Sequence, residues 1–136
     1  MAARSKARKR ALDILFEAEV RGEPVLDMLE QRTIAASPPV GEYAMELVRG
    51  VQAHRERIDE LLGEHAEGWT LDRMPIVDRN VLRIGLYEML WADDVPDAVA
   101  ISEAVLLARD LSTDASPAFV NGLLAHLLEL KPTLIA

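Results

Sequence analysis

Five basic side chains crowd into the first ten residues, and they are the side chains best suited to binding chemistry. This stretch contains no acidic residue, and its basic residues are Arg4, Lys6, Arg8, Lys9 and Arg10. Arginine binds phosphate through a planar fork of donors and lysine through a compact charge. Such a run indicates a nucleic-acid contact or, in the simpler interpretation, a solubilising first turn.

The remainder of the chain has the opposite charge. It holds 10 of the 15 basic residues and all 23 acidic residues, and the net charge of the whole chain is −8. A protein that binds nucleic acid through its overall charge has a basic balance. Any phosphate contacts must therefore come from the basic residues near the N-terminus.

The sequence lacks the residue patterns of the common catalytic and metal sites. It has no cysteine, which excludes disulfides, thiolate metal sites and cysteine nucleophiles. It has no glycine-rich phosphate loop and no nucleophile elbow. His54, His65 and His126 lie far apart in sequence and lack partners at metal-ligand spacing. We therefore expect no enzyme activity, no metal and no cofactor.

Aromatic residues make up 4% of the chain, too few for an extended platform that stacks single-stranded bases. A role for a single aromatic side chain in contacting a ligand remains open. Phe119 falls in the first turn of a predicted helix, where a side chain can pack in the core or contact a ligand. Taken as an isolated residue, it is better explained as a core side chain.

Apolar residues recur at helical spacing through most of the chain, and no long stretch alternates with period two. The central prediction is a helix over Pro75–Trp91 that is apolar on most of its circumference, as in a helix enclosed by others. Gly85 in its interior predicts close approach of another helix, and Glu88 predicts a buried carboxylate that needs a partner. The other predicted helical segments are 6–20, 24–32, 41–65 with a kink or division at Gly50, 71–74, 98–111 and 117–130.

These segments predict an all-α fold of about seven helices, arranged as two small bundles that share the central helix. A length of 136 residues suits a single domain over residues 1–136. No apolar run is long enough to span a bilayer, and no signal-peptide segment follows the basic start. We therefore expect a cytoplasmic protein with no membrane contact. The sequence leaves the oligomeric state open, because a face hidden in a homodimer resembles a monomer core.

Three stretches together resemble the NusB family of bacterial transcription antitermination factors. They are the basic start followed by ALDILFEAEV, the segment VDRNVLRIGLYEML, and VPDAVAISEAVLLARDLS with the later SPAFVNGLL. The resemblance covers nearly the whole chain. It implies an all-helical fold of two small bundles and an RNA-binding role without catalysis.

The resemblance also implies partners and contact residues. Family members bind the single-stranded boxA element of ribosomal RNA leader transcripts together with the ribosomal protein NusE, and the pair joins elongating RNA polymerase. The family's basic RNA contacts match Arg4, Lys6, Arg8, Lys9 and Arg10, and its aromatic RNA contact matches Phe119. The region that faces NusE matches a stretch that includes Asp72 and Asp78.

Two positions depart from the family pattern: Ser5 interrupts the basic run, and Ala115 stands where relatives usually have an acid. Two alternatives remain. The chain could be a helical adaptor that binds only protein, or an RNA-binding domain related to the N-terminal part of ribosomal-RNA methyltransferases. The second is disfavoured because no catalytic domain follows within the sequence.

Overall fold

The computed structural model describes residues 2–134, and these residues form seven α-helices, a 3-10 turn and no strand. The all-helical prediction is therefore confirmed. The contacts divide the described residues into two compact units, the first ending at His54 and the second beginning at Arg55. No helix among the described residues is long and apolar enough to cross a membrane.

The first unit contains three helices: α1 (Ala2–Arg21), α2 (Val25–Ala35) and α3 (Glu42–Ala53). Helix α1 packs against both others, and α2 also contacts α3. Together the three helices bury Ala11, Ile14, Leu15, Ala18, Met28, Leu29, Ala44, Leu47, Val48 and Val51. Each large aliphatic side chain buried in this way contributes roughly 1.5–3 kcal/mol to folding.

The second unit contains α4 (Arg55–His65), the 3-10 turn (Leu71–Arg73), α5 (Ile76–Trp91), α6 (Asp97–Leu111) and α7 (Ser116–Leu134). Helix α5 packs against α4, α6 and α7. Every residue of α5 from Asn80 to Leu90 is buried, which confirms that it is enclosed by its neighbours.

The close approach predicted at Gly85 is present. A Cβ atom at this position would lie 2.9 Å from Cδ1 of Leu124 and 3.2 Å from Cβ of Ala104. These residues belong to α7 and α6, so the missing side chain lets both helices approach α5. Glu88 is 1% exposed, as its position on the apolar side of the helix predicted.

A buried polar network joins α5 to α4. Arg83 is 4% exposed, and its Nε and Nη2 donate to the two carboxylate oxygens of Asp59 at 2.8 and 3.1 Å. Its Nη1 donates to the side-chain oxygen of Asn80 at 2.9 Å. Arg83 and Asn80 therefore lie inside the unit, because the carboxylate of α4 satisfies the guanidinium there.

Several predicted boundaries were wrong. Helix α1 begins at Ala2, so only Arg4 lies in its first turn, and the other basic residues follow further along. The division predicted at Gly50 lies at His54, where the backbone leaves helical geometry. Helix α7 continues through Pro132. Phe16 and Val20 of α1 are 38% and 57% exposed and lie outside the apolar core.

Candidate RNA- and protein-binding sites

Three of the predicted RNA contacts lie together on α1. Lys6, Lys9 and Arg10 line a pocket of about 220 Å³ with Asp13 and Pro38. The helical residues follow the i, i+3, i+4, i+7 spacing, which places them on one helix face. Lys6 and Lys9 are exposed, and Arg10 Nη2 donates to the carbonyl of Pro38 at 3.2 Å. We call Lys6, Lys9 and Arg10 the basic face.

The other two basic residues turn toward α3. The guanidinium carbon of Arg4 lies 4.2 Å from the ring centroid of Tyr43, and that of Arg8 lies 5.9 Å from it. Both distances are within the range of cation–π attraction. The Tyr43 ring thus contacts two cations that lie one helical turn apart on α1. Tyr43 was not predicted from the sequence, because its contact with α1 is a tertiary contact.

Arg8 differs from the expectation of five accessible cations. Its side chain is 2% exposed, so it is part of the packed interior and not of the surface that RNA could reach. The reason is visible in the helical spacing: Arg8 precedes Ala11 by three residues and Leu12 by four, and both are buried. The burial of Arg8 therefore argues against a direct contact with RNA. The position of Arg8 beside Tyr43 indicates a role in packing.

Phe119 belongs to the second unit and is half-buried at the start of α7. Its ring centroid lies 6.1 Å from that of Trp69 in a tilted arrangement. The Trp69 side chain is 48% exposed. The pair borders a hollow of about 240 Å³ that Ala115 also lines. Phe119 is therefore neither a free surface ring nor a fully enclosed one.

Asp72 is accessible and charged. It lies exposed on the 3-10 turn. A hydrogen bond from the Thr70 side chain, with a further one from the backbone, holds the pKa of Asp72 below its usual value. This carboxylate can therefore meet a basic partner without first rearranging the turn.

Asp78 is placed differently from Asp72. It is 3% exposed, and the hydroxyls of Ser112 and Ser116 donate to its two carboxylate oxygens at 2.5 and 2.9 Å. Its burial corrects the expectation that it faces a partner protein directly. The carboxylate instead ties the first turn of α5 to the connection between α6 and α7.

The structure brings two of the three histidines together. The ring centroids of His65 and His126 lie 5.4 Å apart, with the ring planes tilted by 56°. Their distance in sequence had concealed this pair. The described residues contain no group of three or more histidine, aspartate or glutamate side chains that could hold a metal ion.

The sequence matches the NusB family profile over residues 5–129. It is 62% identical to the transcription antitermination protein NusB of Thermobifida fusca over 131 residues, which cover 96% of this chain and 92% of that protein. It is 61% identical to the protein of the same name from Kineococcus radiotolerans, and this match covers the full length of both.

Solved structures of similar proteins have the same fold. NusB of Thermotoga maritima superposes with a TM-score of 0.83 at 34% identity, covering 93% of this chain and 90% of that one. A chain from a complex of the antitermination factors NusB and NusE with double-stranded RNA superposes with a TM-score of 0.82 at 26% identity. That match covers 95% of this chain and 98% of the other.

Proposed function

The chain belongs to the NusB family of transcription antitermination factors, which are not enzymes, and from this premise we propose that it binds the boxA element of ribosomal RNA leader transcripts. In this proposal it binds the RNA together with the ribosomal protein NusE, and the complex acts on elongating RNA polymerase during transcription of ribosomal RNA operons. Nascent transcripts of bacteria are made in the cytoplasm, so this is where the protein would work.

The basic face of α1 is the observation that supports RNA binding most directly. Lys6 and Lys9 are exposed beside Arg10 at one pocket, although the chain carries a net charge of −8. Two exposed ammonium groups and a guanidinium at helical spacing suit successive phosphates of a single strand. Arg4, held over Tyr43, adds a fourth cation on the same helix. Phe119 supplies a candidate stacking surface in the second unit.

The exposed carboxylate of Asp72 supports a basic protein partner. An acidic protein attracts a basic one over long range, and an exposed charge at the interface mainly improves the association rate. NusE accompanies NusB and RNA in one of the similar structures. We propose that Asp72 faces NusE and that Asp78 supports the same region from inside.

A titration of the full-length chain with fluorescently labelled single-stranded boxA RNA, with and without NusE, tests the proposal. We expect binding that tightens when NusE is added and that weakens steeply with salt. Lys6→Gln with Lys9→Gln should flatten the slope of log K against log salt concentration by about 1.4, at roughly 0.7 per lost phosphate contact.

Arg57→Gln provides the matched control, since Arg57 is an exposed cation of α4 paired with Glu60. It should leave the salt slope unchanged. If the parent chain binds NusE but no RNA under any of these conditions, the chain is a protein-only adaptor and the RNA-binding proposal is wrong.

A further inference from the structure

The ring of Tyr43 on α3 contacts two cations of α1 that differ in accessibility. The guanidinium carbon of Arg4 lies 4.2 Å from the ring centroid, and that of Arg8 lies 5.9 Å from it. Arg8 is 2% exposed, whereas Arg4 and Tyr43 are half-buried. Of these two cations, Arg4 is therefore the one that lies against the ring and within reach of a ligand in solution.

This arrangement brings two like charges together. Arg4 and Arg8 are four residues apart on one helix, and like charges at this spacing repel each other. The face of an aromatic ring carries the negative side of its quadrupole and attracts a cation within about 6 Å of its centroid. The Tyr43 ring therefore offsets the repulsion and favours one conformation of the Arg4 side chain.

A cation that is already ordered binds RNA at a lower cost in conformational entropy. Lys6 and Lys9 are exposed, and a long, exposed side chain loses rotamer freedom when it binds a phosphate. Arg4 loses less, because its contact with Tyr43 restricts the side chain before RNA binds. A guanidinium that contacts a ring through its flat face can still donate from the N–H groups at its edge.

We propose that Tyr43 is a positioning residue for RNA binding. Its ring orders the Arg4 side chain in the free protein, so that the guanidinium contacts a phosphate of the RNA with little further ordering. Tyr43 acts through Arg4 and does not itself contact the RNA. This inference rests on the proposed RNA-binding function, and it adds a residue of α3 to the phosphate contacts of α1.

The NMR spectrum of the free chain tests the ordering without RNA. Protons above an aromatic ring are shielded, so the side-chain resonances of Arg4 should move downfield in Tyr43→Leu and stay near their parent positions in Tyr43→Phe. The resonances of Arg57 on α4 should not move. Should Tyr43→Leu fold poorly, the parent alone decides, because Arg4 δ-methylene protons at the shifts of free arginine would overturn the inference.

Titration of the full-length chain with labelled single-stranded boxA RNA measures the effect on binding. Tyr43→Leu should lower the affinity about 2- to 12-fold, the ordering cost of one rotamer-rich side chain, and Tyr43→Phe should bind as the parent does. The slope of log K against log salt concentration should stay at the parent value in Tyr43→Leu, because Arg4 still contacts its phosphate. Arg4→Gln should reduce that slope by about 0.7.

A double-mutant cycle shows whether Tyr43 acts through Arg4. Once Arg4→Gln is present, Tyr43→Leu should cause little further loss of RNA affinity. Arg57→Gln is the matched background, since it removes an exposed cation that pairs with Glu60 on α4, and there Tyr43→Leu should keep its full effect. Equal losses in the two backgrounds would overturn the inference, because Tyr43 would then contact the RNA itself or act only through the fold.

Two other outcomes count against the inference. If Tyr43→Leu lowers the free energy of unfolding and leaves RNA affinity unchanged, the contact serves packing alone and the inference is wrong. If the parent chain binds no RNA with or without NusE, both the inference and the proposed function fail. The two failures are distinguishable, because failure of the inference alone requires that the parent chain binds RNA.

Discussion

The role of a basic residue on α1 depends on which helix face it occupies. Lys6, Lys9 and Arg10 share a pocket at the surface, whereas Arg8 is 2% exposed among apolar neighbours. The cluster of five basic residues was predictable from the composition of the first ten residues. The separation of buried Arg8 from the surface cations was not, because counting charges assigns all five cations the same role. The spacing of Arg8 from Ala11 and Leu12 contained the missing signal.

This division predicts opposite effects for two neighbouring substitutions. Arg8→Ala should lower the free energy of unfolding by about 1–3 kcal/mol, since it removes a buried side-chain stem and a cation beside Tyr43. It should leave the salt slope of RNA binding unchanged. Lys9→Ala should preserve stability and reduce the slope. Urea unfolding and RNA titrations at several salt concentrations measure both. A reduced slope with full stability in Arg8→Ala would show that Arg8 contacts phosphate.

Among the elements, the helices were more predictable than their ends. The apolar spacing identified α1 and α6, because each has a periodic apolar stripe, and it identified α5, which is apolar on most of its circumference. The division between α3 and α4 was misplaced because Gly50 is tolerated within α3, whereas His54 carries the break. The last helix was predicted to end at residue 130, but α7 continues through Pro132, because a helix can retain a proline at the loss of one hydrogen bond. Local residue preferences do not determine which of these alternatives tertiary packing selects.

The contact between α1 and α2 should make the first unit sensitive to acid. Arg32 Nε and Nη2 donate to the two carboxylate oxygens of Glu17 at 2.8 and 2.6 Å. This hydrogen bonding lowers the pKa of Glu17 below its usual value. Because the folded-state pKa is depressed, the stabilisation is present above the unfolded value and is lost as pH falls through the folded pKa.

Glu17→Gln should therefore cost about 1 kcal/mol of unfolding free energy at neutral pH. The difference from the parent should stay constant down to about pH 4.5 and shrink at lower pH. Urea unfolding followed by circular dichroism across this range measures it. Glu46→Gln, at an exposed position of α3, is the control. A difference that grows below pH 4.5 would contradict the assigned direction of the pKa shift.

Helix packing at Gly85 predicts a large effect from one added side chain. Gly85→Leu should destabilise the fold by about 1–3 kcal/mol or more, because its side chain must displace Leu124 and Ala104. Gly63→Leu on α4, where the space is open, should not. Thermal or urea unfolding compares the two variants. Equal unfolding midpoints would mean that α6 and α7 can move away from α5 at little cost.

For the whole molecule, the sequence predicted the family and the all-helical fold better than the surroundings of individual side chains. The charge split and the resemblance led to RNA and to a basic protein partner. The separate roles of Asp72 and Asp78 and the pairing of His65 with His126 arise from tertiary contacts. A lone aspartate in sequence does not reveal whether serine hydroxyls will surround it, as they surround Asp78.

Binding of NusE tests the charge of the whole chain together with one exposed carboxylate. Asp72→Lys should weaken the complex about tenfold or less, mainly through slower association, and the effect should shrink as salt screens the charges. Asp93→Lys, an exposed position in the α5–α6 connection, makes the same change in net charge and is the matched control.

Asp78→Lys cannot be used to test the contact with NusE, because it would bury a cation beside two serine hydroxyls and unfold the region. Surface plasmon resonance with immobilised NusE at two salt concentrations measures the association rates. Circular dichroism should show unchanged helix content in both Asp72→Lys and Asp93→Lys. Equal slowing by the two variants would mean that only net charge attracts NusE, and the interface would then have to lie away from Asp72.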